Sequence, residues 1–99
     1  MLVIRPAAQA DADEAYDWYE GKRTGLGGEF LTCVGETLKA LDEWPERGLV
    51  VYRNLRRVAV KRFPYGVFYL IEGGAIIVVA ILHGRRASRR WKSRLRTED

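Results

Sequence analysis

The chain has few of the residues that form disulfides or bind metal ions in small proteins. Its 99 residues include one cysteine, Cys33, and one histidine, His83. One cysteine cannot close an intramolecular disulfide, which excludes a disulfide scaffold and fits a reducing compartment. A structural zinc site needs about four Cys or His ligands. We therefore expect no metal and no cofactor.

Long hydrophobic runs are also missing. The longest run, Ala75–Leu82, has eight residues, whereas a helix that spans a bilayer needs about 20. Apolar Met1–Ile4, followed by Arg5 and Pro6, lacks the order of a signal peptide. We expect one soluble cytoplasmic domain over residues 1–99, with one core and no membrane partner.

Most catalytic signatures are absent as well. Gly25–Gly28 neither follows a strand nor precedes Lys-Ser/Thr, so it is not a phosphate-binding loop. Cys33 lies on a helical pattern without a paired histidine motif, and we expect it to be a small buried hydrophobe. We expect Asp11 and Asp13, like the other paired acids, to be ordinary solvated charges on helix surfaces.

Charge is divided unevenly along the chain. Residues 1–50 carry five Lys/Arg and ten Asp/Glu, a net charge of −5, whereas residues 51–99 carry twelve and three, a net charge of +9. Between Arg53 and Arg96 the only acid is Glu72. Such a basic half fits nucleic acid or an acidic protein segment.

Two amphipathic helices are predicted in the acidic half. Apolar residues recur at helical spacing from Ala8 to Tyr19, and Gly21 is a plausible end. A second helical pattern runs from about Gly28 to Trp44 and ends at Pro45. Gly35 weakens this helix, and we expect it where the first helix approaches closely.

The pattern of the basic half predicts β-strands. Gly73 and Gly74 connect two apolar runs, which predicts a hairpin. The predicted strands are Leu49–Arg53, the stretch around Val58 and Val60, Val67–Ile71 and Ala75–His83, the last of them central. With Leu2–Ile4 as an N-terminal strand, the fold class is α+β. We expect an antiparallel helical hairpin packed on an antiparallel β-sheet, followed by a short C-terminal helix or tail.

Candidate functional residues lie in the basic half. His83 ends the predicted central strand, where its imidazole is a possible general base. Strand alternation predicts that Arg57 and Lys61 share one face while Arg56 and Arg62 share the other. With the arginines after His83 and interleaved aromatic residues, they predict a surface for RNA or for an acidic protein.

Two segments together resemble the RelE/ParE toxins of bacterial toxin–antitoxin systems. These are Arg62-Phe63-Pro64-Tyr65-Gly66-Val67-Phe68-Tyr69 and His83-Gly84-Arg85-Arg86 with Trp91 five residues on. The length and element order agree over nearly the whole chain. The resemblance implies a toxin neutralised by a cognate antitoxin whose C-terminal segment wraps it.

Three functions follow from this resemblance. In the first, the chain is a ParE-like toxin that poisons DNA gyrase by binding. In the second, it is a RelE-like ribosome-dependent mRNA endoribonuclease that uses Lys61, His83 and Arg86. In the third, it is an inactive homologue that binds its antitoxin and helps regulate their operon.

The resemblance favours the ParE side for two reasons. RelE-type nucleases place an arginine where this chain has Gly66, and a tyrosine near the position of Trp91. The indole of Trp91 only donates a hydrogen bond and cannot act as an acid or base. We expect the antitoxin to contact five residues of the basic half: Arg56, Arg62, Arg85, Arg86 and Trp91.

Overall fold

The computed structural model describes residues 1–84 and 88–96. It shows two long helices on one face of a five-stranded sheet and a shorter helix on the other face. In chain order the elements are β1 (Leu2–Ile4), α1 (Pro6–Lys22), α2 (Leu26–Glu43), β2 (Leu49–Tyr52), β3 (Leu55–Ala59), β4 (Tyr65–Glu72), β5 (Ala75–His83) and α3 (Ser88–Arg96). The predicted α+β class, the helical hairpin and the C-terminal helix are confirmed.

Helices α1 and α2 form a tight hairpin. Pro6 occupies the first position of α1, where its missing N–H costs nothing. The carboxylate of Glu20 accepts hydrogen bonds from the backbone N–H groups of Gly25 (2.8 Å) and Gly27 (2.9 Å), so a side chain of α1 caps the start of α2. A Cβ at Gly27 would lie 2.7 Å from the carbonyl oxygen of Tyr16, so only glycine permits this approach.

The close approach between the helices therefore occurs at Gly27 and not at Gly35. A Cβ at Gly35 would meet nothing within 4 Å, and this glycine lies on the exposed side of α2. The expectation that Gly35 marks the contact with the first helix is wrong. The helical pattern places Gly35 opposite the core, where the neighbouring helix does not reach.

The five strands lie in the order β1-β5-β4-β3-β2. The four strands of the basic half are antiparallel, as predicted, but β1 pairs in parallel with β5, which makes the sheet mixed. Gly73 and Gly74 form the predicted hairpin turn, and their φ angles of 56° and 82° are ones that glycine adopts readily.

Two apolar cores lie on opposite faces of the sheet, so the expectation of one core is wrong. The larger one lies between the sheet and helices α1 and α2 and contains Phe30, Leu41 and Tyr69. It includes Cys33 as the buried hydrophobe that the sequence predicts. The smaller one contains Phe68 and Trp91 under α3. Strand β5 is buried on both faces, which explains its uninterrupted apolar run.

Candidate partner-binding surface

Three cations lie over aromatic rings on the sheet face that α3 partly covers. Arg53 and Lys92 each approach the ring of Tyr52 at 5.2 Å, and Arg57 lies 5.8 Å from the ring of Phe68. Trp91 stacks on Phe68 at 5.9 Å between ring centroids. We call Arg53, Arg57 and Lys92, with these three aromatic rings, the basic aromatic face.

The cations of the basic aromatic face keep their charge available. Among residues 1–84 and 88–96, no carboxylate forms an ion pair with Arg53, Arg57 or Lys92. Aromatic rings hold cations through their π faces without neutralising them. The face is therefore suited to binding carboxylates or phosphates of a partner.

Two glycines make room for the guanidinium of Arg57. A Cβ at Gly66 would lie 2.5 Å from Nε of Arg57, and one at Gly84 would lie 3.3 Å from its Nη2. Gly66 is the position where the sequence departs from the RelE pattern. The structure gives that departure a physical reason, since any larger residue there would displace Arg57 from the ring of Phe68.

The side chain of Trp91 packs mainly against other residues of the fold. Its side chain is only 7% exposed, and it contacts Tyr52 as well as Phe68. Most of the surface that a partner could contact is thus already covered by the chain itself. The geometry favours a structural role for Trp91, in which it closes the smaller core under the C-terminal helix.

Helix α3 is held in place by an ion pair with α1. Arg94 donates two hydrogen bonds to the carboxylate of Asp11, one of them at 2.9 Å, and a third to the carbonyl oxygen of Val79 at 3.1 Å. Asp11 is 7% exposed and also accepts from the N–H of Ile81 at 3.0 Å. The expectation that Asp11 is a solvated surface charge is wrong, because spacing along one helix cannot reveal a partner 83 residues away.

Arg56 and Tyr69 together hold the connection between α2 and β2. Nη1 of Arg56 donates to the carbonyl oxygens of Gly48 (2.8 Å) and Glu46 (3.1 Å). The buried hydroxyl of Tyr69 donates to the carbonyl oxygen of Pro45 (2.7 Å) and accepts from the N–H of Gly48 (2.9 Å). Burial raises the pKa of Tyr69 above its usual value of 10. Arg56 thus has a structural task in addition to any contact with a partner.

Arg62 lies on the helix side of the molecule. Its φ of 71° places it in a tight turn, and its guanidinium forms a 2.9 Å ion pair with Glu29 of α2. Hydrogen bonding to Arg62 lowers the pKa of the Glu29 carboxyl. The side chain of Arg62 remains mostly exposed, so its outer surface is open to a partner.

The residues of the ribonuclease hypothesis do not share one cleft. His83 lies opposite Tyr65, 5.6 Å between ring centroids, in a cleft of about 510 Å³ lined also by Glu14 and Trp18. Lys61 lines a smaller cleft, about 150 Å³, against α2. Lys61 therefore lies on the α2 side, and Arg57 over Phe68 on the opposite face, so the prediction that they share a face is wrong. The strand ends at Ala59, and alternation does not extend through the following turn.

Arg85 and Arg86 lie outside the described residues. Within residues 1–84 and 88–96, no three Asp, Glu, His or Cys side chains converge as metal ligands would. The sequence suggested a basic surface but did not single out Arg53, Arg57 and Lys92 as its centre. Of these three residues, only Arg57 could have been placed from the sequence, because it alternates with valines on a predicted strand.

The fold is shared with a known toxin–antitoxin protein. A solved structure described as the chromosomal ParDE toxin–antitoxin system from P. aeruginosa matches with a TM-score of 0.75 and 21% sequence identity. The match covers 83% of this chain and 92% of that chain. At this identity the similarity shows the fold alone: a small α+β domain.

The family is established by the sequence. Residues 2–88 match the family described as the ParE toxin of type II toxin–antitoxin systems, parDE. The chain therefore belongs to the ParE toxin family, which confirms the resemblance and its ParE side. No curated protein matches the chain.

Within the described part of the chain, no helix combines the length and the apolar character needed to cross a bilayer.

Proposed function

We propose that this chain is a cytoplasmic, growth-inhibiting toxin that a cognate antitoxin neutralises and that acts by poisoning DNA gyrase. Membership of the ParE toxin family is the observation that carries the proposal. The basic aromatic face supports it, because its three cations lie over rings, no carboxylate of residues 1–84 and 88–96 pairs with them, and such cations suit an anionic partner.

Binding without covalent chemistry accounts best for the arrangement of the candidate residues. Gly66 lies under Arg57, and Trp91 is packed in the smaller core. Lys61 and His83 line different clefts, so they are poorly placed to act on one phosphodiester. General acid–base catalysis requires groups within hydrogen-bond reach of the same reacting atoms.

The proposed antitoxin contacts are Arg56, Arg62, Arg85, Arg86 and Trp91. Exposure supports Arg62, whose guanidinium is open on the side away from Glu29. Arg56 would contribute mainly its positive charge, because Nη1 is already bonded to two carbonyl oxygens. Trp91 would contribute by shaping the basic aromatic face from below.

A supercoiling assay with purified gyrase tests the target. The toxin should inhibit supercoiling or accumulate cleaved DNA at micromolar concentration, and addition of the antitoxin should restore activity. Arg57→Gln should weaken inhibition at least several-fold, whereas Lys39→Gln, which removes an exposed charge from α2, should leave it unchanged.

Two results would contradict this proposal. Normal supercoiling at micromolar toxin would exclude gyrase as the target. Codon-specific mRNA cleavage in a translating extract, abolished by His83→Ala, would show that the ribonuclease is the correct alternative.

A further inference from the structure

A cleft lies beside the last residues of β5, where the short strand β1 no longer pairs with it. Strand β1 pairs with Ile76–Val78, whereas β5 continues to His83. The cleft is lined by Ile81–His83 from this end of the strand and by small Ala15 from helix α1, and its volume is about 510 Å³. Sites that bind small groups typically enclose about 300–1,000 Å³. The space is therefore large enough to receive a side chain of another molecule.

Aromatic rings form one wall of the cleft. Trp18 lines it and is 58% exposed, and its ring meets the edge of Tyr19 at 5.0 Å between centroids. Tyr65 lines the same cleft, 6.0 Å from Tyr19. Nζ of Lys22 lies 4.7 Å from the centroid of the Trp18 ring, so this ring already attracts a cation of the chain itself. Residues that dominate binding energy at interfaces are enriched in Trp, Tyr and Arg.

The charge at the mouth of the cleft is negative. Helix α1 carries five acids and one base. Two of the acids are engaged within the fold, Asp11 with Arg94 and Glu20 with the start of α2. Glu14 lines the cleft and is exposed, and no cation among the described residues forms an ion pair with it. Since Trp18 follows four residues later, the carboxylate and the indole lie on the same face of α1. This arrangement attracts a cation and repels a phosphate.

We propose that the cleft binds an arginine side chain presented by a partner protein. The guanidinium would stack on the ring of Trp18 and pair with the carboxylate of Glu14, while its aliphatic stem packs on Tyr65 and Pro64. Arginine suits this site better than lysine, because its planar head both stacks on rings and pairs with a carboxylate through two hydrogen bonds. No residue of the basic aromatic face lines the cleft, so the inference depends neither on gyrase nor on the antitoxin.

The probe is a capped five-residue peptide with arginine at its centre and leucine on each side, titrated into the uniformly ¹⁵N-labelled full chain. The indole N–H signal of Trp18 should shift, whereas that of Trp44, which is also exposed but does not line the cleft, should not. Citrulline in place of arginine keeps the shape without the charge. It should weaken binding about five- to tenfold, because the ion pair and the cation–π contact are both lost. At 0.5 M salt the difference should diminish.

Matched variants locate the contact. Glu14→Gln removes the proposed partner of the guanidinium and should weaken binding about two- to fivefold. Asp13→Asn is the control and should leave binding unchanged, because it removes the same charge from a neighbouring position that does not line the cleft. Lys22→Gln removes the chain's own cation from the ring of Trp18 and should strengthen binding about twofold. All three side chains are exposed, and far-UV circular dichroism checks that each variant folds.

Any of four results would overturn the proposal. These are an unchanged Trp18 signal at millimolar peptide, equal binding of the citrulline peptide, equal effects of Glu14→Gln and Asp13→Asn, or weaker binding by Lys22→Gln. Self-association of the free chain that Glu14→Gln abolishes would identify a second copy as the occupant and would equally reject a separate partner.

Discussion

Arg94 and Asp11 form a two-pronged ion pair across the part of β5 that β1 leaves unpaired. The last backbone bond from the β1 side joins the N–H of Arg5 to the carbonyl oxygen of Val78. Beyond that point Asp11 accepts from Ile81, and Arg94 donates to Val79. Two side chains thus take the place of a strand and connect helices that lie on opposite faces of the sheet.

Removing this pair should loosen α3. In Asp11→Ala, Arg94 and the N–H of Ile81 lose a buried partner, and breaking a buried ion pair in this way costs about 3 kcal/mol. Urea denaturation should report that loss, and amides of α3 should exchange faster. Asp17→Ala removes an exposed acid from the same helix and should change stability by less than about 0.5 kcal/mol. Equal effects of the two variants would contradict the assigned role.

Tyr69→Phe should destabilise the fold through the connection that its hydroxyl holds. The variant leaves the carbonyl oxygen of Pro45 and the N–H of Gly48 without this partner, at a cost of about 1–2 kcal/mol. Tyr52→Phe is the control, because its hydroxyl has no hydrogen-bond partner among the described residues. Thermal denaturation compares the two, and a smaller loss in Tyr69→Phe than in the control would count against this role.

Alkaline pH should destabilise the protein partly through Tyr69. Its pKa is raised in the folded state by burial, so the folded chain holds this proton more tightly than the unfolded chain. The stabilisation is complete below the unfolded pKa of about 10 and is lost as the pH rises through the folded pKa. Absorbance at 295 nm should show late ionisation of two tyrosines, because burial also raises the pKa of Tyr19, and Tyr69→Phe should remove one of the two. Ionisation of all five tyrosines near pH 10 would contradict this.

Gly35 and Gly27 of α2 should respond in opposite directions to alanine. Gly35→Ala fills open space on an exposed helix position and should stabilise the protein by up to about 1 kcal/mol. Gly27→Ala forces a methyl group against the backbone of Tyr16 and should destabilise it by about 1–3 kcal/mol. Chemical denaturation of both variants checks the pair. Stabilisation by Gly27→Ala would mean that the helices are further apart.

Charge on the basic aromatic face should speed association with the antitoxin. Arg57→Gln should lower the association rate several-fold at low salt, and the difference should vanish near 1 M salt, where the Debye length is about 3 Å. Lys39→Gln controls for the loss of one positive charge. Stopped-flow fluorescence measures the rates, and a salt-independent difference would indicate that Arg57 acts through shape instead of charge.

Much of the fold was predictable from local patterns. Helical spacing located α1 and α2, and Gly73 with Gly74 located the β4–β5 hairpin, because such signals depend on neighbours along the chain. The parallel pairing of β1 was not predictable in this way. It joins Leu2–Ile4 to Ile76–Val78, more than 70 residues away, and nothing in a three-residue apolar run specifies its partner.

The sequence predicted the charge of the candidate surface and the kind of partner, but not which residues lie at its centre. Net charge by halves indicated an anionic partner, and the family resemblance indicated an antitoxin. Which arginines are available was decided by contacts between distant residues, such as Arg62 with Glu29 and Arg57 with the space above Gly66.

The sequence by itself determined that this protein has an α+β fold and a basic second half, and its match to the ParE toxin family shows its membership. The fold class and the charge follow from periodicity and composition, whereas the membership follows from similarity to known sequences. Only the tertiary structure decided that Asp11 is a buried partner of Arg94, that Trp91 is core and that β2 is an exposed apolar edge. Each of these depends on which surfaces come into contact after the chain has folded. Burial results from that contact and cannot be read from any one segment of the sequence.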